Sequence, residues 1–434
     1  MTGTTALLTD RYELTMLGSA LHDGTAHRDC VFELFARRLP DGRRYGVVGG
    51  TGRLIEAIAD FAFDADAVDA LRAAGAIDDN TADYLAGYRF RGDLDGYAEG
   101  ELYFPMSPVL TVRGTFAEAV VLETLALSIF NHDSAIASAA ARMVTAAGGR
   151  PLIEMGSRRT HEQAAVASAR AAYLAGFAFT SNLEAARHYG VPTAGTAAHS
   201  FTLLHDDERA AFAAQVATLG PGTTLLVDTY DIARGIENAV DVAGPQLGAI
   251  RIDSGDLGPL ARHAREQLDA RGATSTRIVV SGDLDEFAIA ALGAAPVDSY
   301  GAGTAVVVGS GAPTAGMVYK LVEVDGRPVA KRSEHKESVG ARKTALRAHK
   351  PSGTAIEEIV SVRPDVVPET GQRLLQRPLV RRGEPVDGLP TLAQSRDHLR
   401  EVTVTLPWDG LKLSRGEPAI PTRLERDEAP HATA

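Results

Sequence analysis

The sequence has little cysteine, no excess of positive charge and no long apolar run. Cys30 is the only cysteine among 434 residues, which excludes an intrachain disulfide and a cysteine metal cluster and fits a reducing cytoplasm. Asp and Glu (56) outnumber Lys and Arg (44), and the formal charge of −12 argues against nucleic-acid binding, which usually needs a basic surface. An acidic enzyme can still bind a phosphorylated substrate when its cations are gathered in one cleft.

Two further absences concern membranes. The apolar stretch that ends at Met16 contains Asp10, Arg11 and Glu13, which a signal peptide would not tolerate. No window approaches the roughly 18 uninterrupted apolar residues of a membrane helix. We therefore expect a cytoplasmic protein without a membrane span.

Length and composition indicate a globular protein of more than one domain. A chain of 434 residues is too long for one ordinary core, and about two to three domains are expected. Hydrophobic residues at 45% and charged residues at 23% are typical of a globular protein.

From residue 151 onward the chain repeats one pattern: a short apolar strand, a polar turn and a helix. Strands are predicted at 151–155, 177–179, 224–227, 249–252, 277–280 and 298–300. A seventh strand-like unit, 189–193, precedes His199. This alternation predicts a parallel α/β sheet or a closed barrel, in which polar residues at the strand C-termini face a common site.

The regions on either side of this repeat have a different pattern of predicted helices and strands. Residues 1–135 mix helices and strands, beginning with a helix capped by Thr9 or Asp10, and predict an α+β lobe. The α/β barrel is assigned to residues 136–315, and residues 316–413 return to the first lobe through a β-hairpin with an Asp325-Gly326 turn. Residues 414–434, rich in proline and charge, are predicted to be poorly ordered.

Several strand ends carry residues suited to binding phosphate. Gly303 and Thr304 offer unobstructed backbone N–H groups and a hydroxyl, and Gly282 supplies a second glycine at the neighbouring strand end. His199 lies between small residues with an open approach on both sides. Taken alone, a histidine beside Ser and Thr is more often a hydrogen-bonded structural residue. Whether His199 has a functional role therefore depends on the polar residues at the other strand ends.

The charged residues at the strand ends allow two interpretations each. Arg251 needs an anionic partner if it points inward, and an internal ion pair with Asp253 or Asp228 would supply one. The carboxylates could instead bind ribose hydroxyls and Mg²⁺, which keeps phosphate oxygens and water as ligands. Arg158, next to Arg159, is either solvent-exposed or grips a carboxylate or pyrophosphate.

Taken together and in order, these segments resemble nicotinate phosphoribosyltransferase, from residue 7 to residue 345. The segments that carry the resemblance are Thr9-Asp10-x-Tyr12-x-x-Thr15, Gly156-Ser157-Arg158-Arg159, Thr180-Ser181-Asn182, Gly195-Thr196-x-x-His199-Ser200, Arg251-x-Asp253-Ser254-Gly255-Asp256, Ser281-Gly282-Asp283 and Gly301-x-Gly303-Thr304. An ordered series of this length is far more specific than any single motif.

The resemblance implies a fold, a reaction and an assembly. The fold is an irregular α/β barrel of the type II phosphoribosyltransferases with a lobe built from the N- and C-terminal parts. The reaction joins nicotinate to the ribose of phosphoribosyl pyrophosphate, giving nicotinate mononucleotide and pyrophosphate in NAD salvage, with Mg²⁺. ATP hydrolysis is coupled to it through a phosphohistidine, and the matching position is His199. Members of the family are homodimers with shared active sites.

The resemblance also implies site residues. Catalytic roles fall to His199, Asp228, Arg251 and Asp253, and substrate-binding roles to Tyr12, Arg158, Ser181, Ser254, Gly282, Asp283, Gly303 and Thr304. Tyr12 would come from the second subunit and stack on the pyridine ring, and Arg158 would lie near the nicotinate carboxylate and the diphosphate. Gly282, Gly303 and Thr304 would hold the 5′-phosphate. No residue is assigned as a Mg²⁺ ligand.

Two positions bear on the choice of base, and other functions stay open. The related nicotinamide enzyme usually has an aspartate where Ser181 stands, so nicotinate is favoured. Met155 replaces a usual phenylalanine, although a thioether can also pack on an aromatic ring. The alternatives are a nicotinamide or quinolinate enzyme of the same fold, a sugar-phosphate aldolase or isomerase, and a nucleotide-binding protein without turnover. The aldolase or isomerase would need a lysine or a glutamate base at a strand end, and the strand ends carry no lysine.

Overall fold

A computed structural model describes residues 4–331, 339–363 and 366–426. The chain forms two compact units, one of Met1–Ala135 with Thr314–Ala434 and one of Ile136–Pro313. The first is called the outer unit and the second the barrel unit below. The boundaries predicted from the sequence fall at residues 135 and 315.

Strands alternate with helices in the barrel unit, whereas the outer unit has runs of consecutive helices and of consecutive strands. The α-helices are α1 Arg11–Asp23, α2 Thr51–Ala59, α3 Ala65–Ala73, α4 Asp79–Ala86, α5 Phe116–Val120, α6 Glu123–Ala147, α7 Glu162–Ala175, α8 Leu183–Tyr189, α9 His199–Leu203, α10 Glu208–Leu219, α11 Ile232–Ala243, α12 Leu257–Ala270, α13 Glu286–Ala291, α14 Thr304–Val307 and α15 Leu392–Thr403. The strands are β1 Asp29–Ala36, β2 Gly46–Val47, β3 Asp93–Tyr97, β4 Leu102–Tyr103, β5 Leu110–Thr115, β6 Leu152–Glu154, β7 Phe179–Thr180, β8 Thr224–Leu226, β9 Ala249–Ile252, β10 Arg277–Val280, β11 Ser299–Ala302, β12 Met317–Val324, β13 Arg327–Pro328, β14 Thr344–His349, β15 Ala355–Ser361, β16 Gln372–Leu374, β17 Gln376–Arg381, β18 Glu384–Pro385 and β19 Thr422–Glu425.

The outer unit is built on an antiparallel sheet in the order β13-β12-β1-β5-β3-β17-β18. Asp10 caps α1 by accepting a hydrogen bond from the backbone N–H of Arg11. It is one of the two residues, Thr9 and Asp10, that the sequence predicted as the cap. Leu14 and Leu17 of this helix are buried in the core. The predicted hairpin is confirmed: β12 pairs with β13, and both Asp325 and Gly326 have positive φ, which a two-residue turn of this kind requires.

A second sheet of the outer unit corrects the prediction for the C-terminal tail. Its order is β16-β14-β15-β19, and β19 runs parallel to β15 in the register Glu358↔Thr422 to Ser361↔Glu425. The prediction of a poorly ordered tail is therefore wrong for β19, because backbone pairing with β15 holds it and the local composition carries no sign of that distant partner. Residues 427–434 of the predicted tail lie outside the described residues.

A buried ion cluster lies between these elements of the outer unit. Arg347 on β14, with a side chain only 1% exposed, bonds to Glu101 at 2.6 Å and to Glu358 at 2.7 Å. Arg373 and His398 also contact the Glu101 carboxylate, at 2.8 and 3.0 Å. Burial opposes ionisation of Glu101, but the surrounding positive charges outweigh it and lower its pKa. The Glu101 carboxylate is therefore ionised in the folded protein.

The barrel unit contains a parallel sheet in the order β7-β6-β11-β10-β9-β8. Most residues of these strands are buried, as expected for strands covered on both faces. The α/β fold class with an irregular barrel is confirmed, in the form of a half-barrel whose edge strands are β7 and β8. All six predicted strands are present: β9 and β10 have the predicted bounds, and the ends of the other four strands differ from the prediction by at most two residues.

The prediction of a seventh strand-like unit in the segment before His199 is wrong. Thr193 forms only an isolated bridge with Thr180, and His199 begins the short helix α9. Proline at position 192 has no N–H for a ladder, which limits pairing to this single bridge. His199 therefore lies at the start of a helix after a loop.

Among the described residues, none of the helices combines the length and the apolar character needed to cross a membrane.

Candidate active site

The carboxyl ends of the parallel strands of the barrel unit enclose a polar cavity of about 210 Å³. The lining residues lie at the carboxyl ends of four neighbouring strands, β6, β11, β10 and β9, or directly after them: Met155, Arg158, Arg159, Arg251, Asp253, Ser281, Gly282, Asp283, Gly301, Gly303 and Thr304. Parallel strands deliver their carboxyl ends to one edge of a sheet, which explains why distant segments meet there. The structure thus gathers seven of the predicted site residues: Arg158, Arg251, Asp253, Gly282, Asp283, Gly303 and Thr304.

Arg251 and Asp253 form the charged centre of this cavity. The Arg251 Nη2 lies 3.8 Å from Asp253 Oδ2, while Nη1 donates to Thr196 Oγ1 at 2.6 Å. The sequence allowed an ion pair of Arg251 with either Asp253 or Asp228, and the structure shows the pair with Asp253. The other carboxylate oxygen of Asp253 accepts a hydrogen bond from Ser281. Both partners still line the cavity, so the ion pair and substrate binding are compatible.

Asp228 lies behind the cavity wall at the end of β8. Its Oδ2 accepts from the backbone N–H of Asp253 at 2.9 Å and from Ser254 Oγ at 2.7 Å. Its side chain is 1% exposed, and Oδ1 has no hydrogen-bond partner but lies 3.9 Å from His199 Nε2. Asp228 and Ser254, predicted as site residues, therefore connect Asp253 with His199.

His199 is held at the edge of this group with an accessible ring. Its Nδ1 lies 3.1 Å from Thr229 Oγ1, and the side chain is 41% exposed. The hydroxyl of Thr229 fixes the orientation of the imidazole. The sequence offered no signal for Thr229, because this contact depends on where the start of α9 meets the turn after β8.

Gly282 and Asp283 form a turn that needs unusual backbone angles. Their φ values are 105° and 45°, both in the region that side chains rarely adopt. A Cβ on Gly282 would also collide with the backbone carbonyl oxygen of Asp253. Gly303 precedes α14, which begins at Thr304. Small residues at these two strand ends leave backbone N–H groups free for an anion.

Replacing Gly282 with alanine tests the importance of this turn. We expect kcat/KM for phosphoribosyl substrates to fall by about 100-fold, because the turn or Asp253 must shift by a fraction of an ångström or more. Gly293→Ala is the matched control, since its Cβ would meet no atom within 4 Å and its φ is ordinary. Equal activity of both variants in a steady-state assay would show that the turn does not position substrate.

Met155 forms one wall of the cavity, in the place where the resemblance expects an aromatic ring. A Cβ on Gly301 would lie 2.8 Å from the Met155 sulfur, so the glycine makes room for the thioether. The thioether is therefore available at the cavity wall, and sulfur can pack against an aromatic ligand.

Three predicted substrate-binding residues do not line the cavity: Ser254, which bonds to Asp228 behind the cavity wall, Ser181 and Tyr12. Ser181 follows β7 and is exposed, beside the turn that carries Arg158. Tyr12 belongs to the outer unit, where it lies on α1 with 45% of its surface exposed. Partial burial and the carboxylates of Glu123 and Glu13 raise the pKa of Tyr12 to about 12, so its phenol stays neutral at physiological pH.

The donor set of the cavity fits a magnesium ion shared with a substrate. No group of three or more His, Cys, Asp or Glu side chains in the described ranges could hold a metal by itself. The carboxylates of Asp253 and Asp283 nevertheless line the same cavity as the arginines. One or two carboxylates, completed by substrate phosphates and water, are the usual ligands of Mg²⁺ at nucleotide sites.

The charges of the cavity suit a phosphorylated sugar. Arg158, Arg159 and Arg251 can bind phosphate or carboxylate groups, and Asp253 and Asp283 can accept from hydroxyls. No lysine lines the cavity among the described residues. The arrangement therefore favours binding and electrostatic stabilisation of a phosphoribosyl group over Schiff-base chemistry.

Comparisons with known proteins agree with this arrangement. Residues 7–131 match the nicotinate phosphoribosyltransferase (NAPRTase) N-terminal domain. The chain is 67% identical over 427 residues to nicotinate phosphoribosyltransferase pncB1 of Mycobacterium tuberculosis, covering 96% of this chain and 94% of that protein. It is 38% identical over 335 residues to nicotinate phosphoribosyltransferase of Bacillus subtilis, covering 75% and 68% of the two chains. The crystal structure of human nicotinic acid phosphoribosyltransferase is similar with a TM-score of 0.85 and 26% identity, over 97% of each chain.

Proposed function

The chain belongs to the nicotinate phosphoribosyltransferase family, and we propose that it couples the family's reaction to ATP hydrolysis through a phosphohistidine at His199. The reaction joins nicotinate to the ribose of phosphoribosyl pyrophosphate and releases pyrophosphate, forming nicotinate mononucleotide in NAD salvage. The observation that carries this function is the cavity at the ends of β6, β11, β10 and β9, which combines arginines, carboxylates and exposed glycine backbone.

Different residues of the cavity bind different parts of the substrate. The backbone N–H groups at Gly282, Gly303 and Thr304 bind the 5′-phosphate. Asp253 faces the ribose, where positive charge develops as the pyrophosphate departs, and its carboxylate lowers the barrier electrostatically. Arg158 binds the nicotinate carboxylate or the diphosphate. Asp253 or Asp283, together with the substrate phosphates, would hold Mg²⁺, which would supply positive charge to the leaving group.

The step at His199 transfers a phosphoryl group from ATP. A bond forms between an imidazole nitrogen and the γ-phosphorus, the bond to the bridging oxygen breaks, and ADP leaves. Water later attacks the phosphorus, releasing phosphate and restoring the imidazole. The 41% exposure of the His199 side chain leaves room for the incoming nucleotide, and the contact with Thr229 fixes the ring. These features support the proposal.

The assembly and location are proposals as well. We propose a cytoplasmic homodimer in which Tyr12 of a second subunit stacks on the pyridine ring. The exposed ring of Tyr12, uncharged at physiological pH, supports this role.

Incubation of the pure protein with each base, phosphoribosyl pyrophosphate and Mg²⁺ tests the choice of substrate. We expect nicotinate to be converted with a kcat/KM at least about 100-fold above that of nicotinamide, because Ser181 adds no anion that would repel the carboxylate of the base. Chromatography of the mononucleotide products measures all three reactions, with and without ATP. Preferential conversion of nicotinamide or quinolinate, or no mononucleotide under any condition, would contradict the assignment.

A further inference from the structure

Two turns at the edge of the parallel sheet are joined by a buried carboxyl group. Glu154, the last residue of β6, accepts from the hydroxyl of Thr180 at 2.6 Å and from the backbone N–H of Gly156. Glu154 and Thr180 are both buried. The first turn leads to Arg158, and the second leads to Ser181. One side chain therefore contacts both turns.

A second link joins the same two turns closer to their tips. Asn182 donates from its Nδ2 to Ser157 Oγ at 3.0 Å, and its Oδ1 caps α8 by accepting from the N–H of Ala185 at 2.8 Å. The backbone N–H of Asn182 donates to the Thr180 hydroxyl at 3.0 Å. Neither Asn182 nor Ser157 lines the cavity, but each is the chain neighbour of a residue assigned to the base.

The edge position of β7 gives these side-chain links a role in holding the second turn. The strand has only two residues, and within the sheet it pairs on one side only, with β6, through Ile153↔Phe179 and Glu154↔Thr180. Beyond this ladder, the backbone N–H of Ser181 donates to the backbone carbonyl of Glu154 at 2.8 Å, and Thr180 forms one bridge with Thr193 on its other side. The side-chain hydrogen bonds of Glu154 and Asn182 add to these few backbone contacts in fixing the second turn against the first.

We infer that Asn182 and Ser157, supported by Glu154, are positioning residues that set the separation of Arg158 and Ser181 and thereby the selectivity for a base that carries a carboxylate. This inference rests on the proposed function, in which Arg158 binds the nicotinate carboxylate and Ser181 lies beside the base. Loosening the link moves Arg158 relative to the ring position and weakens the contact that nicotinate makes and nicotinamide lacks. Selectivity falls as a result.

The Asn182–Ser157 hydrogen bond can be removed from either side. Ser157→Ala deletes the acceptor, and Asn182→Ser deletes the donor while keeping a side-chain oxygen that caps α8. We expect each variant to lower the ratio of kcat/KM for nicotinate to kcat/KM for nicotinamide by about five- to tenfold, the effect of one hydrogen bond. Most of the change falls on the KM for nicotinate. The double variant should lose no more than either single variant, because both remove the same bond.

The control is Asn238→Ser, the same exchange on α11, where Asn238 bonds to Glu208 away from the cavity. It should leave the selectivity ratio unchanged even if it lowers the melting temperature. An unchanged ratio in Ser157→Ala and Asn182→Ser, or losses that multiply in the double variant, would overturn the inference. A wild-type protein that forms no nicotinate mononucleotide would instead overturn the proposed function itself, so the two failures are distinguishable.

Discussion

Replacing His199 with alanine is expected to abolish the stimulation of turnover by ATP while weak ATP-independent formation of nicotinate mononucleotide persists. The substitution removes the only nitrogen nucleophile proposed for the γ-phosphate, but it leaves the cavity residues Arg251, Asp253 and Gly282 in place. The rate with ATP should therefore fall to the rate without ATP. Initial rates at saturating nicotinate and phosphoribosyl pyrophosphate, measured with and without ATP, give the stimulation directly.

The control for this experiment is His263→Ala, since His263 is an exposed residue of α12. It should keep full ATP stimulation. Transfer of radiolabel from γ-labelled ATP to the wild-type chain, lost in His199→Ala and kept in His263→Ala, would support the same conclusion. Undiminished ATP stimulation in His199→Ala would rule out a phosphohistidine at this position.

Replacing Arg347 with methionine is expected to lower the free energy of unfolding by about 3–5 kcal/mol. The substitution leaves the carboxylates of Glu101 and Glu358 buried with less compensating charge, and an uncompensated buried charge has a cost of this size. Urea unfolding of the variant and the wild type, followed by circular dichroism, measures the difference. An effect below about 1 kcal/mol would show that the buried cluster contributes little to stability.

Arg423→Met is the matched control, because Arg423 pairs with Glu357 and Glu425 on the same sheet but is 47% exposed. Its effect should stay within about 1 kcal/mol. The two variants should also differ in acid. The folded protein holds the pKa of Glu101 below its ordinary range, so this stabilisation is present at neutral pH and is lost as the pH falls below about 4.3. Arg347→Met should therefore show a weaker dependence of stability on pH in this range.

Local patterns predict the barrel unit well, since each of its strands is a short apolar run followed by a polar turn. Parallel strands then bring their carboxyl ends together whatever their distance in sequence, which is why Arg158, Arg251 and Gly303 meet at one cavity as predicted. The segment before His199 has the same apolar character, but Pro192 reduces its pairing to one bridge. Composition alone does not distinguish an apolar segment that joins the sheet as a strand from one that forms only a single bridge.

Features that depend on distant partners are absent from the sequence pattern. The strand β19 exists because β15 offers it a parallel edge, and nothing local in a charged, proline-containing tail indicates this. Thr229 becomes a partner of His199 only when the start of α9 meets the turn after β8. Arg347 has the sequence context of an ordinary strand residue, and its burial follows from the positions of Glu101 and Glu358. Each of these contacts joins residues that lie far apart along the chain or in separate loops.

A crystal structure of the protein with nicotinate mononucleotide tests the location of the active site most directly. We expect the 5′-phosphate on the backbone N–H groups at Gly282, Gly303 and Thr304, with the ribose hydroxyls facing Asp253. A nucleotide bound away from the ends of β10 and β11, with Arg251 and Asp253 making no contact to it, would contradict this account.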